Sequence, residues 1–166
     1  SNGLLTNAKG ATTSSELVYG EIRKGGTVTF LESTGTNNKI LHQIIVLAGH
    51  EVEEIGDIYF NDEIVTMSNE IVTTSRYTYI TTTRDTNPSD PLETTVTNYA
   101  AKVYKHTGNQ TSATSTFANS SSNLANTLHV ETTATSNFVG KNIAYLYCRF
   151  EYNQDAFADG LPTVTA

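Results

Sequence analysis

Residues 142–153 read NIAYLYCRFEYN, and their apolar side chains recur at every second position. A period of two sends successive side chains to opposite faces of a strand. Ala144, Leu146, Cys148, Phe150 and Tyr152 therefore form one continuous apolar face, which is expected to meet the core. Ile143, Tyr145, Tyr147, Arg149 and Glu151 form the other. A slip of one residue would exchange the two faces, so the register is firmly specified. The second face mixes aromatic rings with a cation, a composition enriched in protein interfaces. Packing beneath a second sheet explains it equally well. Tyr145, Tyr147 and Arg149 are thus candidate interface residues.

Further strands are read the same way. KILHQIIVLA, 39–48, is the most apolar run. Its β-branched residues and the Gly49 boundary favour a strand buried on both faces over a short helix. His42 inside it reads as a satisfied core or edge residue rather than a ligand. LVYGEIR (17–23) and TVTFLE (27–32) alternate around Lys24-Gly25-Gly26 and predict a hairpin. STGTNN, 33–38, is a second turn cluster. In DIYF-NDE-IV, Asn61 and Asp62 suit a tight turn between two strands, because their short side chains bond nearby backbone and tolerate a left-handed conformation.

Two long strands are expected at about 70–83 and 94–106, parted by the loop DTNPSDP and forming an extended, projecting hairpin. Tyr77 and Tyr79 on its first strand join the interface candidates. At the polar connector 109–127, Phe117, Leu124 and the following Leu128 could pin a short helical turn. The closing QDAFADGLPTVTA reads as a turn and the start of another strand. The whole predicts an all-β fold, mainly antiparallel sheet, barrel- or sandwich-like, with at most one or two short helical turns. An extended N-terminal arm at 1–16 precedes one β-rich domain at 17–166, with a hairpin or loop insertion at about 66–137.

GHEVEEIGDIYFNDE, 49–63, carries one histidine and six carboxylates, and so raises the question of chemistry. His50 and Glu54 are four apart, but Gly49 and Gly56 bracket them too closely for a useful helix. His42, His106 and His129 are distant in sequence. Asp62 and Glu63 are explained by the turn. Glu51, Glu53 and Glu54 flank Val52 and Ile55, as in a short 3-10 or bulged connector whose acids face water. A glycosidase pair needs a defined carboxylate separation that spacing does not show.

The single cysteine, Cys148, excludes an internal disulfide and reads as a buried structural thiol. Lys24-Gly25-Gly26 lacks the spacing of a phosphate cradle. No catalytic, cofactor-binding or metal-binding residue is expected. A formal charge of −7, with Arg23/Lys24 as the sole adjacent basic pair, argues against sequence-specific nucleic acid as a partner. No apolar run reaches the roughly 20 residues of a membrane helix, so membrane insertion is not expected. There is no secretory leader pattern, and Gly3 onward reads as part of a longer protein.

Several phrases together resemble one family. They are GLLTN near the start, VYGEIRKGGTVTFLE at 18–32, KILHQIIVLAGHEVEEIGDIYFNDE at 39–63, YKHTGNQTSA at 104–113, and GKNIAYLYCRFEYNQDAFADGLPTVTA at 140–166. In content and order they are similar to the tail tip attachment protein J, or central tail hub, family of lambda-like siphophages. Residues 66–100 depart from that pattern. The resemblance implies a fragment of a virion protein that is made in the bacterial cytoplasm. It would assemble as a homo-trimer with other phage tail proteins at the distal tail, linked to host attachment and DNA delivery, without catalytic residues. Two other readings stand beside it. One is a β-sandwich adhesin touching a host surface receptor or glycan through Tyr77, Tyr79, Tyr99 and Tyr104. The other is a glycan hydrolase using carboxylates such as Glu54.

Overall fold

The two apolar runs lie side by side at the centre of the molecule. The structure is a computed structural model that describes residues 8–9, 20–86, 89, 92–113, 124, 127–134 and 138–166. Its strands are, in chain order, β1 (Ala8–Lys9), β2 (Thr27–Thr34), β3 (Ile40–Ala48), β4 (Tyr59–Phe60), β5 (Glu63–Ile64) and β6 (Met67–Ser68). They continue with β7 (Ile71–Val72), β8 (Thr78–Arg84), β9 (Glu93–Tyr99), β10 (Ala101–His106), β11 (Ala144–Glu151) and β12 (Val164–Thr165). Helical elements include α1 (Leu128–Glu131) and 3-10 turns at Thr36–Asn38 and Ser75–Tyr77. The fold is all-β and sandwich-like, as the alternation predicts.

A seven-stranded sheet runs β1-β2-β3-β11-β10-β7-β6 and does not close on itself. β1 pairs with β2 in parallel, and the other pairings are antiparallel. β11 is fixed from both sides: Tyr147 faces Ile44 of β3 and Tyr104 of β10, while Cys148 faces Gln43 and Val103. A small sheet, β12-β4-β5, covers one face. Between the two sheets lie Ile45, Val103, Leu146, Cys148 and Phe150 from below and Ile58, Phe60, Val65, Phe157 and Val164 from above. Phe60 meets Tyr77 and Phe150 edge-on, at centroid distances of 4.9 and 5.7 Å, the geometry that the ring quadrupoles favour. The opposite face carries Ile44, Tyr104, Tyr145 and Tyr147 and is covered by Leu124 and Leu128.

Several expectations change. Tyr152, expected on the face that meets the core, is exposed and lies beyond the end of β11. Residues 20–26 form no strand, and β2 pairs with β3 instead of with the segment before it; residues 17–19 lie outside the described residues. Gly26 has φ +64°, and a Cβ there would sit 2.6 Å from the Val46 carbonyl. The glycine lets the chain pass close over β3 rather than reverse. Lys24 exchanges both backbone hydrogen bonds with Ala166, at 2.7 and 3.0 Å.

The strand expected at 70–83 divides into β7, a 3-10 turn and β8. The one expected at 94–106 breaks at Ala100, whose N–H bonds Tyr77 and whose carbonyl accepts from Glu151. The span 66–137 is consequently not one insertion, since β10 lies inside the main sheet and only β8–β9 stands apart. Of the N-terminal arm, Ala8–Lys9 adds a strand to β2 at Thr27 and Val28; residues 1–7 and 10–16 lie outside the described residues. Of the three apolar residues expected to pin a helical turn, Leu128 is buried within α1 and Leu124 is buried ahead of it, and Phe117 lies outside the described residues.

Candidate functional site

The acidic stretch 49–58 is a wet connector. Glu51, Glu53, Glu54 and Asp57 are exposed, while Ile55 and Ile58 are buried and anchor it to the core. It contains neither a 3-10 turn nor paired strand, contrary to one expectation. The Val52 N–H bonds the Thr107 carbonyl at 2.8 Å, and the Lys105 ammonium donates to the Gly56 carbonyl at 2.6 Å. Burial, the largest influence, pushes the Lys105 pKa down, and Asp57 and Glu54 pull it back up. The acids line a cleft of about 1100 Å³ whose walls also include Arg23 and Lys24. Among the described residues no three His, Cys, Asp or Glu side chains converge as metal ligands.

The tight turn at Asn61 and Asp62 has φ of 49° and 67°. Asn61 accepts from the Thr163 N–H at 2.9 Å, and Asp62 pairs with Arg23, whose guanidinium also lies 4.0 Å over the Tyr59 ring.

Tyr145 and Tyr147 do not reach the surface: both are fully buried, so packing rather than interface display accounts for them. With their partners they build an aromatic ladder across β3, β11 and β10. His106 lies flat on Tyr145, with centroids 4.2 Å apart and 9° between the planes. Tyr104 stacks on Tyr147 at 5.2 Å and 12°. Each of these is a register pair, so the strand alignment itself brings the rings together.

His42 completes the ladder. Its Nδ1 meets the Tyr147 hydroxyl at 2.7 Å, and its Nε2 meets Thr34 Oγ1 at 2.6 Å. It is the satisfied core histidine that its place in an apolar run predicts. Burial holds it below the ordinary value of 6.5, with Glu131 opposing. Burial drives His106 down to about 2 and raises both phenols. The Cys148 thiol is buried and likewise pushed up, as a structural thiol would be.

Arg149, at the end of the ladder, is half-buried. Its Nε and Nη2 donate to one Glu131 oxygen at 3.0 and 2.9 Å. Glu32 accepts from the Thr133 backbone N–H and hydroxyl at 3.0 and 2.8 Å. Two carboxylate contacts therefore fasten 127–134 over the aromatic face. The sequence shows none of this, because α1 has no apolar period and its partners are far along the chain.

One surface open to contact is the β8–β9 hairpin, a two-stranded sheet from Thr78↔Tyr99 to Arg84↔Glu93. Ile80 and Tyr99 share one face and are 64% and 44% exposed; Val96 on the other is 49% exposed. Tyr79 is half-buried at the hairpin base, where its hydroxyl donates to Glu151 at 3.0 Å. Tyr77 is buried under the base, against Phe60 and Phe157, and so is not a contact residue either. With Tyr77 and Tyr104 both buried, the four tyrosines form no common stacking platform. No protein-family model, curated protein or solved structure matches this chain.

Proposed function

We propose that this chain is a structural domain of a bacteriophage tail-tip or central hub protein. It works by subunit contact at the distal tail of the virion and is linked to host attachment and DNA delivery. The observation that carries the contact role is the β8–β9 hairpin, which stands outside both larger sheets with Ile80 and Tyr99 exposed on one face and Val96 on the other. An isolated two-stranded ribbon is marginally stable in water, and exposed apolar side chains on both of its faces suit burial against a neighbour. The assignment of that neighbour to other tail proteins, and to copies in a homo-trimer, rests on the sequence phrases that resemble tail hubs. A receptor- or glycan-binding role has weaker support, since its accessible tyrosines are reduced to Tyr79 and Tyr99, which lie on opposite faces of the ribbon.

The test is the double substitution Ile80→Lys, Tyr99→Lys in the full-length parent protein. The expected result is a folded domain that no longer assembles into tails. Normal assembly with both lysines present would refute the contact role, and glycan-array binding that the same lysines abolish would favour the adhesin.

A further inference from the structure

We propose that residues 127–134 form an acid-released strap over the aromatic face of the main sheet. Lowering the pH would uncover the part of that face beneath the strap, Tyr147 above all, while the sheet itself stays folded. This inference is independent of the tail-hub reading.

Besides a side-chain hydrogen bond between Thr127 and Tyr147, the strap holds on at three points. Leu128, fully buried, is its apolar anchor among Ile44, Tyr104, Tyr145 and Tyr147. Glu131 receives two hydrogen bonds from Arg149. The Thr133 N–H and hydroxyl both bond Glu32. α1 is only four residues long, so its own helical hydrogen bonds contribute little to order. The strap is kept in place by its contacts with the sheet.

His42 lies directly beneath the second of these points. It is completely buried, and its Nε2 is 3.9 Å from the Glu131 oxygen that holds Arg149. The groups facing its ring are Thr34 and Glu32 of β2, Tyr147 and Arg149 of β11, and Glu131 of the strap. A proton on His42 would place a second cation beside Arg149 in a dry site. Glu131 and Glu32 attract it, but each is already engaged, and Arg149 repels it. Opening the strap gives His42 water, which solvates the imidazolium better than the closed site does.

The direction of the histidine's titration agrees: with burial dominant, the closed form binds the proton less well than the open one. The strap is therefore fully held above the ordinary histidine pKa and loosens as the pH falls below it. The sheet has its own reserve, because β11 is paired along its length with β3 and β10.

Amide hydrogen exchange on the whole chain, corrected for intrinsic rate, tests this at about pH 7 and about pH 5, either side of the histidine range. Exchange in Leu128–Ala134 should speed up about tenfold at the lower pH, because the open form binds the proton better. β3, β10 and β11 should remain protected. His42→Gln keeps hydrogen-bonding groups without the titration and should flatten the pH response. His106→Gln, on the neighbouring rung, should retain it. Glu131→Gln, which weakens the Arg149 hold and also removes the carboxylate 3.9 Å from His42 Nε2, should raise strap exchange already at the higher pH. A response unchanged in His42→Gln, or loss of protection in the strap and the central strands together, would overturn the proposal.

Discussion

The Lys105 ammonium, on a side chain with 8% exposure, donates to the Gly56 carbonyl at 2.6 Å across 49 residues of sequence. This contact explains how a string of exposed carboxylates is held against an apolar core. The lysine stem lies in the protein and its charge meets the connector's carbonyl, with Asp57 and Glu54 near enough to favour the charged form.

Lys105→Met should therefore separate local order from global stability. The substitution removes a partly desolvated charge, and the exposed Gly56 carbonyl can turn to water, so the stability change should stay within about 1 kcal/mol. Amides at 52–57 should exchange faster. Equilibrium urea unfolding and hydrogen exchange on the same variant check both halves.

Two tyrosines should answer oppositely to loss of a hydroxyl. The Tyr77 oxygen is buried and has no hydrogen-bond partner among the described residues, so Tyr77→Phe should be neutral or stabilising by up to about 1 kcal/mol. Tyr147→Phe leaves His42 Nδ1 without the hydroxyl it now meets and should cost about 1–3 kcal/mol. Denaturant midpoints for the pair decide the matter.

Stability should fall on acidification earlier than carboxylate titration alone would dictate. His106 and His42 both have folded pKa values below 6.5, His106 down to about 2. For a base with a depressed folded pKa, the unfolded chain binds the proton first. The contribution is complete above pH 6.5 and is lost as pH falls toward the folded pKa. Each histidine adds a slope of up to about 1.4 kcal/mol per pH unit. Unfolding free energies measured between about pH 7 and about pH 5 should fall along that slope, and His106→Phe should reduce it.

Gly26 and Gly20 both have positive φ, at +64° and +74°, but only Gly26 is crowded. Gly20→Ala should cost the left-handed backbone term alone, about 1–2 kcal/mol. Gly26→Ala adds a Cβ 2.6 Å from the Val46 carbonyl and 2.8 Å from Ile45 Cγ2, and should cost about 2–4 kcal/mol in all. Thermal melts of the two variants give the comparison.

What the sequence made legible was what is local. The alternation at 144–151 and the β-branched run at 40–48 set two central strands, because a period of two leaves one arrangement of faces. Asn61-Asp62 announced its turn through residue types that tolerate positive φ. Tyr145 and Tyr147 were correctly assigned to one face, but what covers that face is α1, a segment with no pattern of its own. β10 carries no strong signal apart from β9, and only its pairing with β11 and β7 separates the two at Ala100. The ion pair of Glu131 with Arg149 and the bond of Lys105 to Gly56 depend on where distant strands come to lie.

The break at Ala100 also has a mechanical meaning. β9 leaves the ribbon through this one residue and becomes β10, which is held to β11 by six consecutive register pairs. A pull on the ribbon tip is thus delivered to a strand gripped along its length within the central sheet, not to a loose loop. A load borne by the protruding element would be shared by the most deeply embedded part of the molecule.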